Sequence, residues 1–551
     1  MTTFAYAAAG RLLAATDSLG GTILNSYDAL NRLVAQATGL GTISYQYDAL
    51  GRRTRMDAPG PAPVFYGYDA ASRLRTITQA PLNPVTIDYD ALGRRTLLTL
   101  PNGVSTQYQY DNASRLTALN YRNAVGLLGD LSYQYDVAGN RIRVGGSFAR
   151  TLLPDPVPSA TYDPANRQLA FGDKQLTYDA TGNLASLTDP FGLTTFAWDA
   201  RNRLVGLGGS GVTASLTYDS LARRNAKTIN GQLTQFIYDG LDIAQQLDSL
   251  GTTSYLRSLE IDETFSFTNR NGTDFSIYDP LGSTLAVTDQ TSNPVVQYTY
   301  EPFGRTSSTD PSFPNPFQFT GRENDATGLY YYRARYYHPG LQRFISEDPL
   351  RASLNVYTYV GNSPLLASDP FGLFTVVVRG GFGEGPIGPS GSGRGGMEQI
   401  AAQLRGIGQE VVVLGPGEAA AALAQLRAHQ GDPTGAHVVC HSRGCDHMLS
   451  QLNQHQDVRV DRLVTLDCFG FSGACGVIPS NAATNLNYWQ ARGLLHGSPN
   501  RRGTGGAEGI TNIQRPESHT GIPGAEAVQR GIVACIGSGV CSGAGALGGR
   551  K

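Results

Sequence analysis

Along the first half of the chain, apolar and polar residues alternate in short runs, each closed by a polar turn, and this two-residue period predicts β-strands. The run Thr42-Ile43-Ser44-Tyr45-Gln46-Tyr47 is one such strand, and it ends in Asp48-Ala49-Leu50-Gly51-Arg52. Asp with Gly or Asn at these places supplies turn geometry, including a positive φ, so strand, turn and following strand make one hairpin. The unit recurs. Tyr-Asp followed by small or apolar residues and then Arg or Asn is found at Tyr27-Asp28, Tyr47-Asp48, Tyr68-Asp69, Tyr89-Asp90 and Tyr110-Asp111. It continues at Tyr135, Tyr162, Tyr178, Trp198 (with Asp199), Tyr218 and Tyr238. Most spacings are 20 or 21 residues, stretching to 25 and 27 where longer loops intervene. A single hairpin is marginally stable in water, so the units are expected to stack edge to edge into a curled continuous sheet. Tyr6-Ala7-Ala8-Ala9-Gly10-Arg11 is a decayed unit, so the chain begins inside the array.

After residue 373 the repeat disappears and the pattern changes to apolar runs alternating with helical segments. Strands are expected at Phe374–Arg379, Glu410–Leu414, His437–Cys440 and Leu463–Leu466, and helices at Met397–Ile407 and Ala419–His429. Continuous apolar strands between helices imply a mostly parallel sheet covered on both faces, a small α/β domain.

Composition narrows the function. Lys and Arg number 43 against 45 Asp and Glu, a formal net charge of −2, and no basic run appears, which argues against a nucleic-acid partner. No stretch of about 18 apolar residues exists to span a bilayer. The start, Met1-Thr2-Thr3-Phe4-Ala5-Tyr6, lacks the basic and apolar regions of a Sec signal peptide, so action outside the cell requires a dedicated secretion machine. All six cysteines lie in the C-terminal third as the close pairs Cys440/Cys445, Cys468/Cys475 and Cys535/Cys541. They read either as disulfides made in an oxidising compartment or as small buried thiols; no C-x2-C spacing favours zinc.

The motif Tyr-Asp-x-x-Gly-Arg resembles the YD repeat of RHS proteins, of the C components of insecticidal Tc toxins and of teneurins, over roughly residues 1–373. A second block strengthens the resemblance. Gly328-Leu329-Tyr330-Tyr331-Tyr332-Arg333-Ala334-Arg335-Tyr336-Tyr337, then Gly340 to Pro349, Asn355 to Pro364 and Asp369-Pro370-Phe371-Gly372-Leu373 look like the RHS-associated core, which ends where a variable toxin begins. The resemblance implies a hollow β-shell over 1–277, a core with a self-cleavage junction over 278–373, and a cargo over 374–551. It also places the family's essential arginine and aspartates at Arg335, Asp348 and Asp369, and the scissile bond between Leu373 and Phe374. Two neighbouring carboxylates can share a proton, one acting as acid while the other activates water. Asp189-Pro190-Phe191-Gly192-Leu193 repeats the terminal pentapeptide inside the array, where it reads as a turn.

In the C-terminal region Val438-Val439-Cys440-His441-Ser442-Arg443-Gly444 runs from a strand into a helix. Small residues two before and two after a serine suit the strained nucleophile elbow, with Cys440 and Gly444 in those places. Asp467, ending an apolar strand, and His519 complete the order Ser, Asp, His. Backbone N–H groups of Arg443 and of Gly381 and Phe382 would form the oxyanion hole, although Gly380 to Pro386 equally suits a linker. His441, His447 and His496 are competitors for the base. This stretch resembles serine hydrolases of the lipase and esterase group, which implies no metal or organic cofactor. The expectation is a toxin whose shell releases a hydrolase acting on lipid or another ester, met by a cognate immunity protein. A nuclease cargo is a rival, with 14 Lys and Arg against 12 Asp and Glu over 374–551. A catalytically dead adhesion or scaffold protein is another.

Overall fold

The computed structural model describes residues 1–7, 11–136, 141–209, 211–349, 355–365 and 368–370; past 370 it describes isolated strand segments and the helical positions 445, 448, 449 and 452. Each repeat is a hairpin, as its alternation predicts. Gly41–Tyr47 pairs antiparallel with Arg53–Asp57 across the turn 48–52. The Asp48 carboxylate accepts the N–H groups of Leu50 and Arg52, both at 2.9 Å, and its second oxygen accepts Arg52 Nε at 2.6 Å. The residue before the arginine sits in the left-handed region: Asn31, Gly51, Ser72, Gly93 and Ser114 have φ from 62° to 83°.

The arginine then joins one repeat to the next. Its guanidinium lies over the tyrosine of the following unit, 4.9 Å for Arg32 on Tyr47, 4.6 Å for Arg52 on Tyr68 and 4.5 Å for Arg94 on Tyr110. The tyrosine hydroxyl donates to a carbonyl of the preceding strand, as Tyr47 to Leu33 and Tyr68 to Arg53, both at 2.7 Å. Tyr, Asp and Arg are therefore one device: the acid folds the turn, the base staples it, and the ring receives the staple of its neighbour.

The stacking gives two sheets where one was expected. Fourteen strands from Thr2–Tyr6 to Arg141–Gly145 follow one another in sequence order, and sixteen more run from Ala160–Tyr162 to Thr306–Ser308. The intervening segment contains Pro154, Pro156 and Pro158, which have no N–H to give a ladder. Leu152 N instead bonds the Tyr300 carbonyl at 3.0 Å, carrying the chain across to the far end of the second sheet. The two sheets share a core: Ile43, Tyr45, Ile77, Ile87 and Tyr121 of the first pack with Ile237, Leu256, Phe265 and Phe275 of the second. Half-buried ion pairs cross the same boundary, Arg53 to Asp239 at 2.6 Å and Arg95 to Glu263.

The second ladder continues past residue 277 through Thr284–Thr288 and Pro294–Tyr300. A four-stranded sheet follows: Glu323–Asn324, Tyr330–Tyr332, Arg335–His338 and Arg343–Phe344. It rests on the second sheet through Arg224, which is fully buried and pairs with Asp325.

Past 370, six described strands are joined in parallel in the order Val412–Leu414, Val376–Val378, His437–His441, Val460–Leu466, Ala482–Trp489 and Gly509–Gln514. The last two were not anticipated from the sequence. Cys440 forms a disulfide with Cys445, and Cys445, Met448, Leu449 and Leu452 are buried, a spacing that fits one face of a helix. The helices expected at 397–407 and 419–429, and the other four cysteines, lie outside the described residues. Among the described residues no helix is long and apolar enough to cross a membrane.

The candidate self-cleavage centre

The hairpin Tyr330–Tyr332 and Arg335–His338 turns through only two residues, Arg333 and Ala334, with Tyr332 opposite Arg335. Its inner face is an aromatic floor. Tyr332, Tyr337, Phe344 and Tyr359 are each fully buried, and the Tyr337 and Tyr359 rings lie 4.7 Å apart. Burial pushes the Tyr337 hydroxyl well above its ordinary pKa, and the neighbouring Tyr359 adds to the shift, so both rings stay neutral beside the charged groups.

On this floor stands Arg335, 3% exposed, with its guanidinium 3.6 Å from the centre of the Phe344 ring. Nη2 donates to Asp369 Oδ2 at 3.3 Å and lies 3.6 Å from Asp348 Oδ2, while Nη1 donates to the Val356 carbonyl at 3.2 Å. Asp348 and Asp369 are 5% and 2% exposed. The Asp348 N–H also bonds the Val356 carbonyl at 2.9 Å, fixing the loop that carries it. Two carboxylates 21 positions apart in sequence thus converge on one buried nitrogen atom of Arg335. A single guanidinium shared by two carboxylates lowers the cost of burying them both.

Arg333, quoted in the sequence but given no role there, belongs to the same site. Its Nη1 donates to the Pro370 carbonyl at 2.5 Å, one residue past Asp369. Because Arg333 lies in the two-residue turn and Arg335 opens the next strand, the two reach the same dipeptide from adjacent corners of the hairpin; the signal was the Arg-Ala-Arg run.

The second copy of the pentapeptide is a simple turn. Asp189 pairs with Gly192 across it and accepts the N–H groups of Phe191 and Gly192 at 2.9 and 3.1 Å. The residues expected to flank the scissile bond, Leu373 and Phe374, the expected triad Ser442, Asp467 and His519, and the expected oxyanion groups of Arg443, Gly381 and Phe382 lie outside the described residues. In sequence Ser442 directly follows the strand His437–His441, Asp467 directly follows Val460–Leu466, and His519 comes shortly after Gly509–Gln514. Among the described residues no cluster of His, Cys, Asp and Glu could hold a metal.

Comparison with known proteins agrees with the repeat. Residues 103–365 match the teneurin YD-shell, and residues 27–61 match the RHS repeat. The chain is 30% identical over 273 residues to the tRNA3(Ser)-specific nuclease WapA of Bacillus spizizenii, a match covering 46% of this chain and 11% of that protein. It is 28% identical over 300 residues to the double-stranded DNA deaminase toxin A of Burkholderia cenocepacia, covering 45% of this chain and 21% of that one. The matches thus span a tenth to a fifth of these relatives. The TcdB2–TccC3–Cdc42 crystal structure superposes with a TM-score of 0.52 at 18% identity, covering 68% of this chain and 25% of that one, which is a likeness of fold. Repeat, ladder and matches together make the body of this chain an RHS/YD-repeat shell.

Proposed function

We propose that the chain is the shell-and-cargo part of a polymorphic toxin: the shell carries a C-terminal module and frees it by cutting its own backbone between Leu373 and Phe374. The observation that carries this reading is the convergence of Arg335, Asp348 and Asp369, with Asp369 only four residues before the bond. In the proposed step one carboxylate takes a proton from water as its oxygen attacks the Leu373 carbonyl carbon. The other, protonated, gives its proton to the Phe374 nitrogen as the C–N bond breaks. Water is consumed, and a new carboxyl and amine are left.

The freed module is read as a serine hydrolase acting on lipid or another ester. Support comes from the order of the parallel strands and from the sequence positions of Ser442, Asp467 and His519, each just past the carboxyl end of a strand, where open parallel sheets place their sites. Ser442 would attack the acyl carbon, His519 would take and return its proton, and Asp467 would hold the imidazole tautomer. Hydrolysis of p-nitrophenyl esters or phospholipid vesicles by the full chain, lost in Ser442→Ala, tests this. A nuclease module is the second reading, favoured by the nuclease and deaminase names of the two relatives. Digestion of tRNA or plasmid DNA that survives Ser442→Ala would establish it instead. Delivery by a secretion machine and neutralisation by a cognate immunity protein belong to the same proposal.

A further inference from the structure

Arg333 has a backbone that does not suit it. It opens a two-residue turn at φ 58°, a region that Gly or Asn occupies at lower cost. Its side chain explains its presence. The guanidinium is held from several sides: Nη2 donates to Asp242 Oδ1 at 2.8 Å and to Asp262 Oδ1 at 2.7 Å, Nη1 donates to Asp262 Oδ2 at 3.1 Å, and Nε donates to the Leu241 carbonyl at 3.3 Å. The two carboxylates are themselves fixed. Asp262 also takes Arg322 Nη1 at 2.5 Å, and Arg257 Nη1 lies 3.6 Å from Asp242. Burial alone would raise the Asp262 carboxyl, yet Arg322 and Arg333 hold it below its ordinary value, so it stays charged.

A guanidinium fork locked on both aspartates leaves the outer hydrogen of Nη1 in one direction, and that direction is the Pro370 carbonyl. Asp242 opens the strand Asp242–Asp248 of the second repeat sheet and Asp262 lies in the turn between Gly251–Arg257 and Thr264–Asn269, whereas Pro370 lies on the segment leading to the junction. We propose that Arg333 is a positioning residue for self-cleavage: anchored to the shell by Asp242 and Asp262, it fixes the Pro370 carbonyl and with it the backbone that runs from Asp369 to the Leu373–Phe374 bond.

The inference rests on the release reading above. From Asp369 to Leu373 the chain can extend at most about 14 Å, so holding the Pro370 carbonyl bounds how far the reacting carbonyl can stray from Asp369. Arg335 orients the carboxylates, Arg333 orients the substrate backbone, and the hairpin keeps the two in register. Displacing a reacting group by an ångström can slow a reaction by about a hundredfold, which is the scale expected here.

The test follows the splitting of the full chain by mass spectrometry as it is made in cell-free translation, for the parent, Asp369→Asn and Arg333→Ala, with and without added guanidinium ion. The expected result is a parent cut at Leu373, an uncut Asp369→Asn, and an Arg333→Ala chain cut about tenfold to a hundredfold more slowly. Guanidinium ion, filling the vacated seat, should restore Arg333→Ala and leave Asp369→Asn uncut; a purely architectural loss would instead show as unfolding of the uncut Arg333→Ala chain, read by its urea midpoint, in step with the lost rate. An Arg333→Ala chain cut at the parent rate, or slowed beyond rescue, overturns the inference while leaving release intact. A parent that stays whole overturns the release reading itself, and the inference with it.

Discussion

Asp279 occupies the acidic place of a repeat turn, but Ser283 stands where other units carry the arginine. Its carboxylate still accepts the Leu281 and Ser283 N–H groups, at 2.9 and 2.8 Å. Burial nevertheless pushes its pKa up to about 6, with those two N–H bonds only partly offsetting it. A carboxyl raised in the folded state binds its proton more tightly there than in the unfolded chain. The penalty is therefore fully present above pH 6, fades as pH falls through the folded value, and is gone near the ordinary value of 3.8. Asn keeps both accepted bonds without the charge. Asp279→Asn should raise the denaturation midpoint at pH 7.5 and remove part of the slope between pH 4 and 7; an unchanged slope would refute the assignment. At Gly51, φ is 80° and no atom lies within 4 Å of an added Cβ, so Gly51→Ala isolates backbone strain. It should cost about 1 kcal/mol, read by urea unfolding.

At the scale of elements, the hairpins were legible because everything that shapes them is local. Asp48, Gly51 and Arg52 lie within five residues, and the alternation in Thr42 to Tyr47 sets which side chains face inward. The break between the two sheets was not legible, although Pro154, Pro156 and Pro158 mark it, because prolines at a sheet end and prolines in a loop within one sheet read alike. The ion pairs that bind the sheets were hidden for another reason. Arg53 finds Asp239, and Arg224 finds Asp325, only after the chain has folded back on itself. Arg224 also donates to the Tyr336 hydroxyl at 3.1 Å and lies over the Tyr331 ring at 4.3 Å. Arg224→Met leaves Asp325 buried with Lys227 alone and should cost about 3–5 kcal/mol. The exposed pair Arg75–Asp88 supplies the contrast: Arg75→Met should cost under about 1 kcal/mol in the same urea titration. Equal losses would mean that burial does not set the strength of these pairs.

At the scale of the molecule, two grades of information met at residue 373. The shell repeats its signal about every 20 residues, so its identity survives local decay such as Tyr6 to Arg11. The candidate cleavage centre was read from motif resemblance, and Arg335, Asp348 and Asp369 lie together in the structure, while Arg333 escaped notice because its partners Asp242 and Asp262 lie far away in sequence. The C-terminal chemistry rests on single copies of short motifs, and two relatives that match the shell carry names with different activities, a tRNA nuclease and a DNA deaminase. A likeness to the shell therefore does not fix the chemistry of the C-terminal region, and the proposal joins the two at residue 373. The most direct measurement is the intact mass of the purified full-length protein beside its Asp369→Asn variant. The account predicts two fragments meeting at Leu373 in the parent and a single chain in the variant; a parent of undivided mass would contradict it.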